Sequence, residues 1–152
     1  MERPIKVGDT IEFDGTSGQI SRIGARSCRL TSRNGTTIIV PNSALLDKKI
    51  INYTAQDRIK IDVRVVINPK IITLSDFTKK YEQAMGATLG FLKKPNPSVS
   101  ISSYLDNENL TLSCSAWIYV DKIRHGVDSE ADLHKIANEI ISEASHQSDV
   151  QS

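Results

Sequence analysis

The run "NGTTIIVPNSALLDKKIINYT", Asn34 to Thr54, limits the possible folds of this chain more than any other stretch. Its β-branched runs, Ile38-Ile39-Val40 and Ile50-Ile51, suit extended strands. Pro41 lacks the N–H a ladder needs, so the first strand must end there. Asn42 or Ser43 can then cap a single helical turn through Ala44-Leu45-Leu46. A second strand follows, Lys48 to Tyr53. Upstream, Asn34-Gly35 predicts a hairpin with a type I′ turn, which requires positive φ at both central residues. Nothing in the run points to acid–base or nucleophilic chemistry, so its demanding pattern serves geometry.

The residues before it extend the same reading. "DTIEFDG" alternates with Ile11 and Phe13 on one face, Gly15 and Gly18 punctuate a turn, and Ile20 and Ile23 flank a break in the period. About five short strands with one helical turn before the last describe a small SH3-like or Sm-like β barrel over residues 1–57. The polar, non-periodic "TAQD", Thr54 to Asp57, marks a boundary. Beyond it, Ile59, Ile61, Val63 and Val65 alternate strictly with Arg58, Lys60, Asp62 and Arg64, as in a strand with one wet face. Thr73 and Asp76 resemble a capping box ahead of a helix whose apolar positions are Phe77, Tyr81, Ala84, Met85 and Leu89. After "KKPNP", Val99, Ile101 and Leu105 alternate in one strand. The turn Asp106 to Asn109 leads into another, with Leu110, Leu112, Cys114, Ala116, Ile118 and Val120 on one face. Gly126 and Asp128-Ser129 introduce a last helix, with Ser129 and Asp132 as its capping box. Leu133, Ile136, Ala137, Ile140, Ile141 and Ala144 form its stripe, and a frayed tail follows about residue 145. The order β-α-β-β-α predicts a ferredoxin-like α+β sandwich over residues 58–152. The fold class is therefore β plus α/β.

Composition excludes several functions. The chain has 152 residues and a net charge of +1. Residues 1–57 carry 8 basic and 6 acidic side chains, and residues 58–152 carry 11 and 12. Neither part has the basic excess that binding a phosphate backbone normally needs, so nucleic acid is not the expected partner. Cys28 and Cys114 lie far apart and read as buried, reduced thiols. His125, His134 and His146 share no metal-ligand spacing with them, so no metal site is expected. No phosphate-binding or nucleophile-elbow motif occurs, and neither an enzyme site nor a cofactor is implied. No apolar run approaches the roughly 20 residues that span a bilayer. Trp117 and Tyr119 sit on the face opposite Leu112 and Ile118, where they either stack on a ligand or neighbouring subunit or pack under a loop.

"RPIKVGDTIEFDGTSGQISRIGARSCRL" followed by "RNGTTIIVPNSALLDKKIINYT" closely resembles the small-conductance mechanosensitive channel (MscS-like) family. The resemblance rests on the Arg-Pro and Gly-Asp segment, the glycine turn, the Asn-Gly hairpin ending in Pro41-Asn42, and the Ile51-Asn52-Tyr53-Thr54 strand. It is strong over the first 54 residues and continues by pattern to about 145. It implies a channel that opens under bilayer tension and releases ions and small osmolytes on osmotic downshock. The soluble domains then form a homo-oligomeric ring, usually sevenfold, on the cytoplasmic face of the inner membrane. Solutes enter through side openings between subunits. The family's transmembrane helices are missing from this sequence, as is the closing strand of the cage. The chain is therefore expected to be a soluble fragment or, alternatively, a stand-alone relative.

The resemblance also implies roles for particular residues. Asn42 corresponds to the Pro-Asn position near the base of the pore helices, and Ser43 stands where glycine is common. Asp57, Arg58, Lys60 and Asp62 fall near the side openings, where their charges can bias which ions pass. A stand-alone Sm-like module binding RNA or another ligand is the alternative. It needs a basic or aromatic face on residues 1–57, where Phe13 and Tyr53 are the only aromatics. A ferredoxin-like enzyme is a third reading and lacks a nucleophile–base pair.

Overall fold

A computed structural model describes residues 5–104, 108–124 and 128–150. Leu105, His125 and Gly126, used in the sequence reading, lie outside the described residues. Two compact units emerge, one holding the chain up to Ile59 together with Val120–Arg124, the other holding Lys60–Tyr119 with the last helix.

In the first unit, β1 (Thr10–Phe13), β2 (Thr16–Ile23), β3 (Ser27–Thr31), β4 (Thr37–Pro41) and β5 (Ile50–Asn52) form one sheet in the order β4-β3-β2-β1-β5. Every pairing in it is antiparallel. The side-chain period of two sends Ile11, Phe13, Ile20, Cys28, Leu30 and Val40 inward, where Leu45 of α1 (Asn42–Asp47) joins them. Each large apolar side chain buried this way contributes about 1.5–3 kcal/mol. The break in period after Ile20 is a register shift between Ile20 and Arg22, which restores Ile23 to the core side. The extra isoleucines of the two apolar runs face outward on the edge strands. Ile39 on β4 is 64% exposed and Ile51 on β5 is 37% exposed. Arg29 lies opposite Ile39, and Glu12 lies opposite Ile51.

Turn chemistry departs from expectation. The type I′ geometry belongs to Asp14-Gly15, with φ of 51° and 76°, between the paired residues Phe13 and Thr16. At the Asn34-Gly35 hairpin only Gly35 has positive φ, 84°. That loop is a turn closed by the Gly35 N–H on the Ser32 C=O, 3.0 Å, because five residues separate β3 from β4. Gly18 lies within β2 rather than in a turn. A Cβ there would meet the Thr31 carbonyl oxygen at 3.0 Å and Leu30 Cβ at 3.1 Å.

The second unit contains β6 (Arg58–Ile67, all but its first two residues), α2 (Leu74–Ala87), β7 (Ser98–Tyr104), β8 (Leu110–Tyr119) and α4 (Ser129–Val150). Its sheet order is β6-β8-β7. Ile61, Val63, Val65 and Ile67 of β6 are buried, as are Leu112, Cys114, Ala116 and Ile118 of β8. Helices α2 and α4 pack on each other, α2 against β7 and α4 against β8. Phe77 and Tyr81 stack along α2 at 6.3 Å between ring centroids, and the Tyr81 hydroxyl donates to the Ser115 carbonyl.

Several boundaries shift. Thr73 caps α2, its Oγ1 accepting from the Asp76 N–H, but Leu89 falls beyond the helix and is 94% exposed. No basic residue stands in the last turn of α2; Lys93 reaches back instead, donating to the carbonyls of Met85 (2.9 Å), Gly86 and Thr88 (3.3 Å). β8 ends at Tyr119, and Val120 begins the short helix α3 (Val120–Arg124) rather than extending the strand. The capping carboxylate of α4 is Asp128, which accepts from the Ala131 N–H at 3.1 Å, while Ser129 is buried. α4 continues to Val150, past the expected fray at about 145. Trp117 is half-buried beside the Leu92 segment, whose N–H bonds its carbonyl at 2.8 Å; Tyr119 is exposed.

Two glycines give opposite expectations. Gly18→Ala forces backbone apart at a close approach and is expected to lower stability by roughly 1–3 kcal/mol. Gly86→Ala, exposed in α2 with nothing within 4 Å of the new Cβ, is expected to raise it by about 0.5–1 kcal/mol. Denaturant unfolding of both variants checks the pair.

Candidate functional site

The polar residues of the first unit gather in two clusters. In the first, the Asp9 side chain is sunk at 2% exposure. Its Oδ2 accepts from the Lys6 N–H at 3.1 Å and from Asn52 Nδ2 at 2.9 Å, and its Oδ1 accepts from Thr54 Oγ1 at 3.2 Å. Thr54 Oγ1 in turn accepts from the Thr10 N–H at 2.9 Å. Gly8 makes the approach possible. Its φ of 93° closes the turn in which the Asp9 N–H bonds the Lys6 carbonyl at 3.1 Å. Burial alone raises the pKa of the Asp9 carboxyl. The hydrogen bonds from Asn52, the Lys6 backbone and Thr54, with the Lys6 charge, outweigh it and hold the carboxyl below its ordinary range.

The second cluster surrounds Asn42. Its backbone N–H donates to the Arg26 carbonyl at 2.9 Å and its Nδ2 to the Gly24 carbonyl at 3.0 Å. Its Oδ1 accepts from the Cys28 thiol at 3.3 Å. The expected capping role is therefore corrected: no side chain caps α1, and Pro41 holds the N-cap position. Asn42 instead braces the turn between β2 and β3. Ser43 is exposed. Cys28 and Cys114 are both buried free thiols. Burial pushes the Cys28 thiol up, and pushes Cys114 up to about 12.

The four charged residues at the start of β6 form two neighbouring opposite-sign pairs. Asp57 and Arg58 stand 3.9 Å apart, Lys60 and Asp62 3.8 Å apart, all well exposed. Pairs this wet add little stability. In the first unit, Glu12, Asp14, Lys48, Lys49 and Ile51 line an open groove. Within it Lys48 pairs with Asp14 at 2.8 Å, and the Tyr53 hydroxyl donates to Glu12. That hydrogen bond first, then burial and the Glu12 charge, raises the Tyr53 pKa.

Sequence reasoning missed the Asp9 cluster as a unit. Its members stand 43 to 45 residues apart and read separately as a turn, a strand end and a polar boundary. The available signal was the Gly-Asp segment and the Asn-x-Thr ending, both already noted in the family resemblance.

Residues 1–55 match the family model described as the mechanosensitive ion channel β-domain. Over 127 residues the chain is 27% identical to the mechanosensitive channel MscK of Escherichia coli, covering 82% of this chain and 11% of that protein. The first 55 residues carry that family's β-domain, and the similarity to mechanosensitive channels continues beyond it at lower identity. Its fold is similar to the cryo-EM structure of Arabidopsis thaliana MSL1, with a TM-score of 0.69 and 19% identity over 93% of this chain and 51% of that one. Helicobacter pylori MscS in its closed state is similar at 0.68 and 17%, over 93% and 53%. The chain spans about a tenth of the length of MscK and half of each structural neighbour. Its Gly8-Asp9 and Asn52-x-Thr54 motifs, noted as separate family features, converge on one buried carboxylate. Among the described residues no helix is long and apolar enough to cross a membrane.

Two expectations follow for the clusters. A depressed carboxyl pKa stabilises the fold above the unfolded-state value and loses that contribution as pH falls through the folded one. Stability is thus expected to fall as pH drops below about 4, with a shallower acid limb in Asp9→Asn; urea titrations from pH 7 to 2.5 test this. Asn42→Ala strands the Gly24 carbonyl and the Cys28 thiol, with an expected loss of about 1–3 kcal/mol in the same assay.

Proposed function

We propose that this chain is the soluble cytoplasmic-cage region of a mechanosensitive ion channel, acting as scaffold and permeation filter while ions and small osmolytes leave on osmotic downshock. The observation that carries the reading is the β-domain match over residues 1–55, joined to a fold likeness that runs through 93% of the chain. In this reading residues 1–57 are an SH3-like or Sm-like barrel, supported by the order β4-β3-β2-β1-β5 with one helical turn before the last strand. Residues 58–152 are a ferredoxin-like domain, supported by the order β6-β8-β7 and the two packed helices. The protein is not an enzyme. It works as a homo-oligomeric ring, a heptamer in the full-length channel, joined to transmembrane helices at the inner membrane.

Asn42 and Ser43 face the base of the pore helices. Through the Asn42 brace, a push on α1 is felt at the β2–β3 turn. Asp57, Arg58, Lys60 and Asp62 border the side openings. Their charges cancel, so the wild-type rim sorts solutes weakly by sign. The Sm-like RNA-binding alternative is disfavoured by the paucity of aromatics and the small basic excess of residues 1–57.

Patch recording of the full-length polypeptide under graded suction tests the reading. A tension-gated conductance is expected, and its absence in membranes that contain the protein overturns it. Lys60→Glu with Arg58→Glu turns the rim acidic, and cation preference over chloride is expected to rise severalfold. An unchanged reversal potential removes these residues from the permeation path.

A further inference from the structure

We propose that Asp9 and Thr54 form a polar relay coupling the segment that enters the five-stranded sheet to both passages of the chain between its two units. The relay is a property of the fold and stands apart from the channel reading. On the entry side, Lys6 is bound to Asp9 twice: its N–H to the Asp9 carboxylate and its carbonyl to the Asp9 N–H, each at 3.1 Å. On the exit side, Thr54 Oγ1 accepts from the Thr10 N–H at 2.9 Å, and its one proton has two acceptors at 3.2 Å: Asp9 Oδ1, and Oδ1 of Asn52, a residue itself bound to Asp9. Asn52 holds the same carboxylate at 2.9 Å, and its Oδ1 accepts from the Thr54 N–H at 3.1 Å. Three residues on, the Asp57 carbonyl accepts from the Val120 N–H at 3.0 Å. Asp57 and Val120 flank the whole of Lys60–Tyr119. The outgoing and returning passages are thus tied to each other, and the outgoing one is tied to the entry.

Along the backbone, Lys6 and Thr54 are separated by all five strands. Through the carboxylate they are two hydrogen bonds apart. Bonds to an ionised acceptor in a buried setting are stiffer than neutral ones in water, so a displacement of residue 6 reaches residues 54–57 without first breaking strand pairs. Thr54 is the residue on which this depends, because its hydroxyl donates and accepts at once. Valine matches its shape and does neither; serine keeps both roles.

Amide hydrogen exchange on the intact chain tests the relay with Thr54→Val. Exchange at Thr10, whose acceptor is removed, is expected to rise roughly tenfold, the size of one lost hydrogen bond. The relay further requires faster exchange at Lys6 and Val120, with Leu30 and Ile39 unchanged, and recovery at all three sites in Thr54→Ser. If only Thr10 responds, or if all the amides speed up together, the relay is refuted. Should Thr54→Val fail to fold, Asn52→Ala, which removes one donor to the same carboxylate, is expected to speed exchange at Lys6 and Val120 with Leu30 and Ile39 unchanged, and no change at Lys6 and Val120 refutes the relay. Glu12→Gln, which weakens only the Tyr53 contact, is expected to leave Lys6 and Val120 unchanged.

Discussion

A carboxylate taken out of water must be surrounded by donors or give up its charge. Asp9 meets this demand with a backbone N–H, an amide and a hydroxyl drawn from both ends of the first unit's chain. The sheet depends on that convergence because β5 is only three residues long and pairs with β1 at three positions. So short a strand is a weak closure on its own backbone bonds. Asn52 and Thr54 lengthen the attachment with side chains, fixing β5 beside β1 and thereby the whole order β4-β3-β2-β1-β5. The cluster and the strand order are one arrangement seen at two scales.

The strands and helices were largely legible in the sequence because their periods are geometric. The alternation from Ile59 to Val65 and the stripe from Leu133 to Ala144 appear in the structure with the burial they predict. Turns and caps were less legible, since several residues nearby can perform the same local chemistry. Asp14-Gly15 and Asn34-Gly35 carry similar signals, and only the spacing of the paired strands decides which becomes the two-residue turn. Asp128 and Ser129 compete for one cap, and a carboxylate one residue earlier wins. Asn42 could cap α1 in isolation, but the turn between β2 and β3 offers it two partners and Cys28 of β3 a third, none of which a local pattern reveals. The Asp9 cluster was illegible for the same reason on a larger scale: pairing across more than forty residues is a tertiary fact.

Magnitudes also set what Asp57, Arg58, Lys60 and Asp62 can do. Ion pairs nearly 4 Å apart, with both partners in water, are screened within about a Debye length of 8–10 Å. The sum over Asp57, Arg58, Lys60 and Asp62 is zero. In the proposed cage such a rim leaves sieving by size to the width of the openings, and it makes charge selectivity depend on a few single-residue changes rather than on a rebuilt fold.

The two edges of the first sheet differ in a way that bears on how copies of the chain can meet. One edge carries Ile39 backed by Arg29, the other Ile51 backed by Glu12. Both edges present an exposed isoleucine, but Ile51 shares its groove with Glu12, Asp14, Lys48 and Lys49, whereas Ile39 lies beside Arg29. The two edges are therefore different surfaces, and a contact of one with the other is head-to-tail. Copies joined that way would add in one sense only, and whether a row of them ends as a closed circle or runs on as a fibre is decided by the angle turned at each joint.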